Sequence, residues 1–157
     1  MKTLLIVVGK TTNKALQTLL ADYQARIAHH MHFTVEVQPE LKNTRALTHG
    51  QQKQHEARQL LTRLHPGDHI VLLDPGGVQL TSTQLAQWLA QRQAAAPRRL
   101  VFIIGGPYGF HNTIYQAAAE KIALSKLTFS HQTVRLIFLE QLYRACTIIR
   151  GLPYHHE

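Results

Sequence analysis

Gly105, Gly106 and Gly109 occupy three of the five positions that follow the apolar run Leu100 to Ile104 (LVFII). A loop with so little side-chain bulk lets its backbone approach a ligand closely. A tight turn that needs positive φ explains the same glycines equally well, so the loop alone names no ligand. It is not the GxGxxG dinucleotide fingerprint, and no Gly-Lys-Ser or Gly-Lys-Thr follows a glycine run as a phosphate-cradling loop would require. Two further places have the same form. His69 to Leu73 (HIVLL) runs into Asp74-Pro75-Gly76-Gly77, and a third segment lies around Leu127. The histidines His29, His30 and His32, or the pair His155-His156, have no HExxH or paired-cysteine spacing beside them, so no metal is expected. Cys146, in an apolar stretch, is expected to pack rather than act as a nucleophile.

The elements needed to hold these residues are legible as alternating strands and helices. Thr3 to Val8 reads as a strand, Lys14 to His29 as a helix, Phe33 to Val37 as a strand, and Glu40 to Thr48 as a loop. Gln51 to Leu64 reads as a helix stopped at Pro66-Gly67, and His69 to Leu73 as a buried strand. Thr81 with Gln84 forms a capping box opening a helix that carries Trp88 and ends before Pro97. Leu100 to Ile104 is the next buried strand. Beyond it, Asn112 to Ile122 is expected as helix, Ala123 to Thr128 as a last short strand, and Gln132 to Arg150 as the final helix. The alternation implies an open α/β sheet of mostly parallel order. In such sheets ligands bind beyond the carboxyl ends of strands, which selects the loops after Leu73, Ile104 and the segment around Leu127.

On the final helix, Val134, Ile137, Phe138, Leu142, Ala145, Cys146 and Ile149 recur at three- and four-residue spacing and form a broad apolar face. Glu140 and Arg144 are spaced for an i,i+4 pair. Arg135, Arg144 and Arg150 are expected to be free for phosphate if this helix borders an RNA site.

Composition sets the class. With 157 residues, 45% of them hydrophobic, the chain is long enough to bury one core, and a single domain over 1–157 is expected. One cysteine excludes an intrachain disulfide, and the run Leu4 to Val8 is too short for a signal peptide or a membrane span. The cytoplasm is the expected compartment, with no membrane partner. Lys and Arg total 17 against 9 Asp and Glu, a formal charge of +8, which favours a polyanion such as RNA.

Several blocks together resemble one known family. They are Phe102-Ile103-Ile104-Gly105-Gly106 with Gly109, then Leu124-Ser125-Lys126-Leu127-Thr128-Phe129 with His131, then Val134-Arg135. Glu140-Gln141-Leu142-Tyr143-Arg144-Ala145 and the closing Pro153-Tyr154-His155-His156 continue the match, as do Leu5 to Lys10 and Leu72-Leu73-Asp74. The sequence is similar in these blocks, in this order, to the RlmH (YbeA-like) large-subunit ribosomal RNA methyltransferases of the SPOUT superfamily. Tyr108 and Pro75-Gly76-Gly77 fall at variable places, and 29–50 aligns poorly.

The resemblance implies an α/β-knot fold with a trefoil knot at the C-terminal end, and a homodimer with active sites at its interface. It implies S-adenosylmethionine held by Leu73, Gly105, Leu124, Ser125, Lys126, Leu127, Thr128 and Phe129. It also implies methyl transfer to N3 of a pseudouridine in 23S rRNA within the assembled ribosome, without a metal. Arg144, Tyr154 and His155 would orient the base or assist its deprotonation, the tail of one subunit reaching the other's cofactor. The rival readings are a catalytically silent ribosome- or RNA-binding relative, and a Rossmann-type nucleotide enzyme, which the missing glycine fingerprint disfavours.

Overall fold

The computed structural model describes residues 1–157. The chain alternates β1 (Lys2–Val8), α1 (Lys14–Ala28), β2 (Phe33–Gln38), a 3₁₀ turn at Thr44–Ala46, α2 (His49–Arg63), β3 (Asp68–Gln79) and α3 (Ser82–Ala95). It continues with β4 (Arg99–Ile104), α4 (Asn112–Ala117), β5 (Glu120–Ala123) and α5 (Thr133–Ile149). The five strands form one sheet in the order β2-β1-β4-β3-β5, with every neighbouring pair parallel.

Both faces of this sheet are covered, which is why the central strands read as continuous apolar runs rather than alternating ones. Leu5, Val7, Phe102 and Ile104 point to one face, against Ile27 of α1, Leu85 and Leu89 of α3 and Phe138 and Leu142 of α5. Leu4, Ile6, Val101 and Ile103 point to the other, against Ala57 and Leu60 of α2 and Ile114 of α4. Two helices open with reciprocal capping boxes, Thr48 with Gln51 and Thr81 with Gln84; only the second is evident from the flanking apolar pattern. No helix is long and apolar enough to cross a membrane.

Three expected boundaries move. β3 does not stop at Leu73 but runs through Pro75-Gly76-Gly77 to Gln79, with Leu73 and Val78 both opposite Ile122. The intervening residues bulge outward, and a Cβ on Gly77 would lie 2.6 Å from the backbone of Lys121 and Ile122, so only glycine passes there.

The helix expected over 112–122 ends at Ala117, and the strand begins at Glu120 instead of Ala123. Tertiary contacts override the helix propensity of the alanines. Ala119 N–H donates to the Ile70 carbonyl at 2.9 Å, starting the pairing with β3. Glu120 then accepts from Trp88 Nε1 at 2.8 Å and Arg92 Nε at 2.9 Å, with His69 Nε2 2.6 Å away. Residues 124–128, expected as strand, are therefore loop.

Candidate active site

The bulge of β3 and the carboxyl ends of β4 and β5 converge on a cleft of about 350 Å³, a volume within the range of small-molecule sites. Three chain segments line it: Leu73-Asp74-Pro75, Ile104 to Phe110 without Tyr108, and Leu124 to His131 without Lys126, closed by Val134 at the start of α5. Of the residues expected around the cofactor, Leu73, Gly105, Leu124, Ser125, Leu127, Thr128 and Phe129 line this cleft. Lys126 does not; it is exposed and faces away from the lining.

Each segment is held by identifiable contacts. In the glycine loop, Gly109 has φ +80° and its N–H donates to the Gly106 carbonyl at 3.2 Å, so a turn that favours glycine is present. Gly106 serves the close approach instead, because a Cβ there would lie 2.7 Å from Glu56 Oε1. Glu56, on α2, is buried beneath this loop. Burial pushes its carboxyl pKa up, while hydrogen bonds from Gln52 and the Gly106 N–H partly offset that.

Asp74 is the one carboxylate of the cleft. Its Oδ1 accepts from the Tyr115 hydroxyl at 2.7 Å and its Oδ2 from the Gly76 N–H at 2.9 Å. Burial and then the contact with Asp74 push the Tyr115 hydroxyl up to about 12, so it stays a donor at neutral pH and fixes the carboxylate's orientation.

The third segment is tied to the chain that follows β1. Ser125 Oγ accepts from Leu127 N–H at 2.9 Å, and Gln132 bridges to Thr12 N–H at 3.0 Å and the Lys10 carbonyl at 3.1 Å. Arg135 was expected at the surface for phosphate, but it is only 2% exposed. Its guanidinium donates to the carbonyls of Val8 (2.7 Å), Gly9 (2.9 Å) and His131 (3.1 Å) and to Thr11 Oγ1 (2.9 Å). The carbonyls at the end of β1 have no strand partner there, and a planar fork of donors satisfies several at once. Arg150 is exposed, with Nη2 donating to the His30 carbonyl at 3.3 Å.

Arg144, Tyr154 and His155 come together in a second, half-buried cluster. Glu140 Oε1 accepts from Arg144 Nη2 and from the Tyr154 hydroxyl at 3.1 Å. Tyr23 of α1 lies 3.2 Å from the Tyr154 hydroxyl, and the Arg144 guanidinium stacks over the Tyr154 ring at 4.8 Å. Burial, then the contacts with Tyr23 and Glu140, raise the Tyr154 pKa, so the phenol keeps its proton. Arg144 Nη1 is 3.2 Å from His155 Nδ1. A guanidinium only donates, so Nδ1 accepts and the imidazole hydrogen sits on Nε2, a buried atom whose nearest acceptor is Glu157 Oε1 at 3.5 Å.

No residue of this cluster lines the cleft. At 1.5 Å rise per residue, Arg144 is roughly 15 Å along α5 from Val134. Cys146 is buried as expected, and burial pushes its thiol up to about 11.

The description "Predicted SPOUT methyltransferase" belongs to the family model that matches residues 1–155. The chain is a member of the SPOUT methyltransferase family. That family is characterised by a knotted chain path, and the all-parallel sheet flanked by helices is the SPOUT α/β architecture. Relatives named "Ribosomal RNA large subunit methyltransferase H" span the chain. The one from Bacteroides fragilis is 53% identical and the one from Phocaeicola vulgatus 54% identical, each over 157 residues and the whole of both chains. The Flavobacterium johnsoniae relative is 46% identical over 153 residues, 98% of each chain. As a SPOUT methyltransferase, the chain is an enzyme that requires a methyl donor. Asp74, Tyr115, His131 and Glu56 escaped the sequence reading as parts of the site, and Arg135 was read as a phosphate contact rather than as a brace. Only Asp74 and His131 carried a signal, as polar residues inside the matching blocks.

Proposed function

We propose that this SPOUT methyltransferase methylates 23S ribosomal RNA at N3 of a pseudouridine, using S-adenosylmethionine and acting as a homodimer on the assembled ribosome in the cytoplasm. The observation that carries the reading is the cleft between the β3 bulge and the carboxyl ends of β4 and β5, built from the same segments that resemble the family's cofactor loops. The names of the full-length relatives support ribosomal RNA as the substrate.

The lining fits the donor. Leu73, Leu127 and Phe129 offer apolar walls, the glycine loop offers backbone N–H and carbonyl groups without side-chain obstruction, and Asp74 offers an oriented carboxylate to hydroxyl or cationic groups. When bound, S-adenosylmethionine supplies a methyl group on a positively charged sulfur, ready for displacement by a nitrogen lone pair. The protein's share is alignment, and removal of the imide proton from N3.

Arg144, Tyr154 and His155 take the base-facing role. Arg144 carries a fixed positive charge that favours the deprotonated imide, and it holds His155 by Nδ1, leaving the Nε2 hydrogen to be turned from Glu157 to a base oxygen when RNA binds. Their distance from the cleft of the same chain is the reason for a dimer in which each subunit's cluster serves the other's cleft.

Ribosomes lacking the modification, incubated with methyl-labelled S-adenosylmethionine, are expected to yield 3-methylpseudouridine by mass spectrometry of 23S rRNA. Donor binding without any incorporation would overturn the reading and leave a silent RNA-binding relative.

A further inference from the structure

We propose that Tyr108, backed by His49, is a stacking platform for a nucleotide of the RNA substrate at the rim of the methyl-donor cleft. The proposal rests on the reading of the chain as an RNA methyltransferase and adds a substrate contact to it.

Pro107 and Gly109 both line the cleft, but Tyr108 between them does not. Its side chain turns outward, and its ring lies on the imidazole of His49 with centroids 3.7 Å apart and planes at 19°. His49 is the first residue of α2 and is itself exposed. One face of Tyr108 is thus covered, yet the residue remains 43% exposed and belongs to neither apolar core. An aromatic ring held this way on a loop does nothing for the core.

The loop beneath is fixed rather than floppy. Gly106 sits on the buried Glu56 of the same helix that carries His49, and the Gly109 N–H closes a turn onto Gly106. Tyr108 is therefore presented at a constant place beside the cleft. Flat aromatic faces bind unpaired bases of any sequence by stacking, and a base undergoing chemistry must leave its own stack to be reached.

The surroundings have the charge such a partner requires. Lys53 follows His49 by one helical turn and so shares its side of α2, and Lys42 and Arg45 are exposed on the segment leading into it. None of the three takes part in an ion pair. Phosphates flanking a stacked base would find these cations. Of the nearby acids, Glu56 is buried, and Glu40 is exposed with its side chain lying against Gly9.

The test measures kcat and KM for ribosomes together with donor affinity by calorimetry, for the wild type and for Tyr108→Ala, Tyr108→Trp and His49→Ala. Tyr108→Ala is expected to raise the KM for ribosomes about tenfold, in keeping with the loss of one base–aromatic stack. kcat and donor affinity should stay unchanged, Tyr108→Trp should restore KM, and His49→Ala should give an intermediate KM. An unchanged KM in Tyr108→Ala overturns the platform. So does a fall in donor affinity that accounts for the whole loss, which would make the stack a brace for the glycine loop. Failure of the wild type to methylate ribosomes would remove the underlying reading and the platform with it, a result distinct from the other two.

Discussion

Arg135 Nη2 donates to the carbonyl of Val8 at 2.7 Å, joining the first turn of α5 to the last residue of β1. The same guanidinium holds the His131 carbonyl, so one side chain fixes the cleft's third segment to the middle of the sheet. Replacing it in Arg135→Met leaves the carbonyls of Val8 and Gly9 buried without these donors, at about 1–3 kcal/mol each. Urea unfolding of this variant should show a loss of about 2–4 kcal/mol. A loss under about 0.5 kcal/mol would mean that water replaces the guanidinium at no penalty.

Gly106→Ala should weaken the donor without unfolding the chain. The added Cβ would meet Glu56 Oε1 at 2.7 Å, and the buried carboxylate and the loop must move apart. Calorimetry is expected to show about a tenfold loss of S-adenosylmethionine affinity, the effect of roughly 1.4 kcal/mol of misplacement. Affinity equal to wild type would show that the loop tolerates the displacement.

Arg144→Ala and His155→Ala should leave donor affinity intact, because neither residue lines the cleft of its own chain. Methyl transfer should fall about 100-fold, the scale of losing a positioned acid–base or electrostatic group. Mixing Arg144→Ala with Gly106→Val subunits then tests the dimer: restored activity in the mixture requires an intact cluster from one chain to serve an intact cleft on the other. No restoration, with subunit exchange verified, would confine each site to one chain.

Acid stability should depend on Asp68. Burial raises its carboxyl pKa, but the hydrogen bonds from Arg99 and the His65 N–H, with the Arg99 charge, outweigh it and hold the carboxyl below its ordinary value. A depressed folded-state pKa contributes stability above the unfolded value that is lost as pH falls through the folded one. Asp68→Asn should therefore be less stable at neutral pH and show a flatter fall on acidification, read from thermal melts across pH. An identical pH slope in both proteins would assign the acid sensitivity elsewhere.

Cys146 should resist alkylation in the folded protein at pH 8, since burial both covers the thiol and raises it to about 11. Mass spectrometry after iodoacetamide should find it modified only in denaturant.

What the sequence disclosed follows from how each residue does its work. β1 and β4 are evident because both faces are buried, leaving unbroken apolar runs. The three cleft segments are evident because strand ends, small residues and the family blocks coincide. The extension of β3 through Pro75-Gly76-Gly77 is not, because a bulge depends on the backbone it pairs with and its local composition is that of a turn. Arg135 looks like a surface cation by residue type; its burial is set by carbonyls on β1, far away in sequence. Glu56 lies in a strongly polar helix, and only the fold brings it under Gly106. The cluster of Arg144, Tyr154 and His155 came from resemblance alone, since no helical period links the tail to α5.

None of the five helices has an acidic residue in its first turn; the two capping boxes use neutral glutamine. In an all-parallel sheet every helix starts where a strand has just ended, so all five positive dipole ends gather on the edge that holds the cleft. With no acidic side chain in any first turn, and Asp74 the one carboxylate lining the cleft, these partial charges reinforce on that edge the field of a chain of formal charge +8. A polyanion approaching from solution meets a directed field rather than a uniform one, and it is turned toward the cleft before any contact is made.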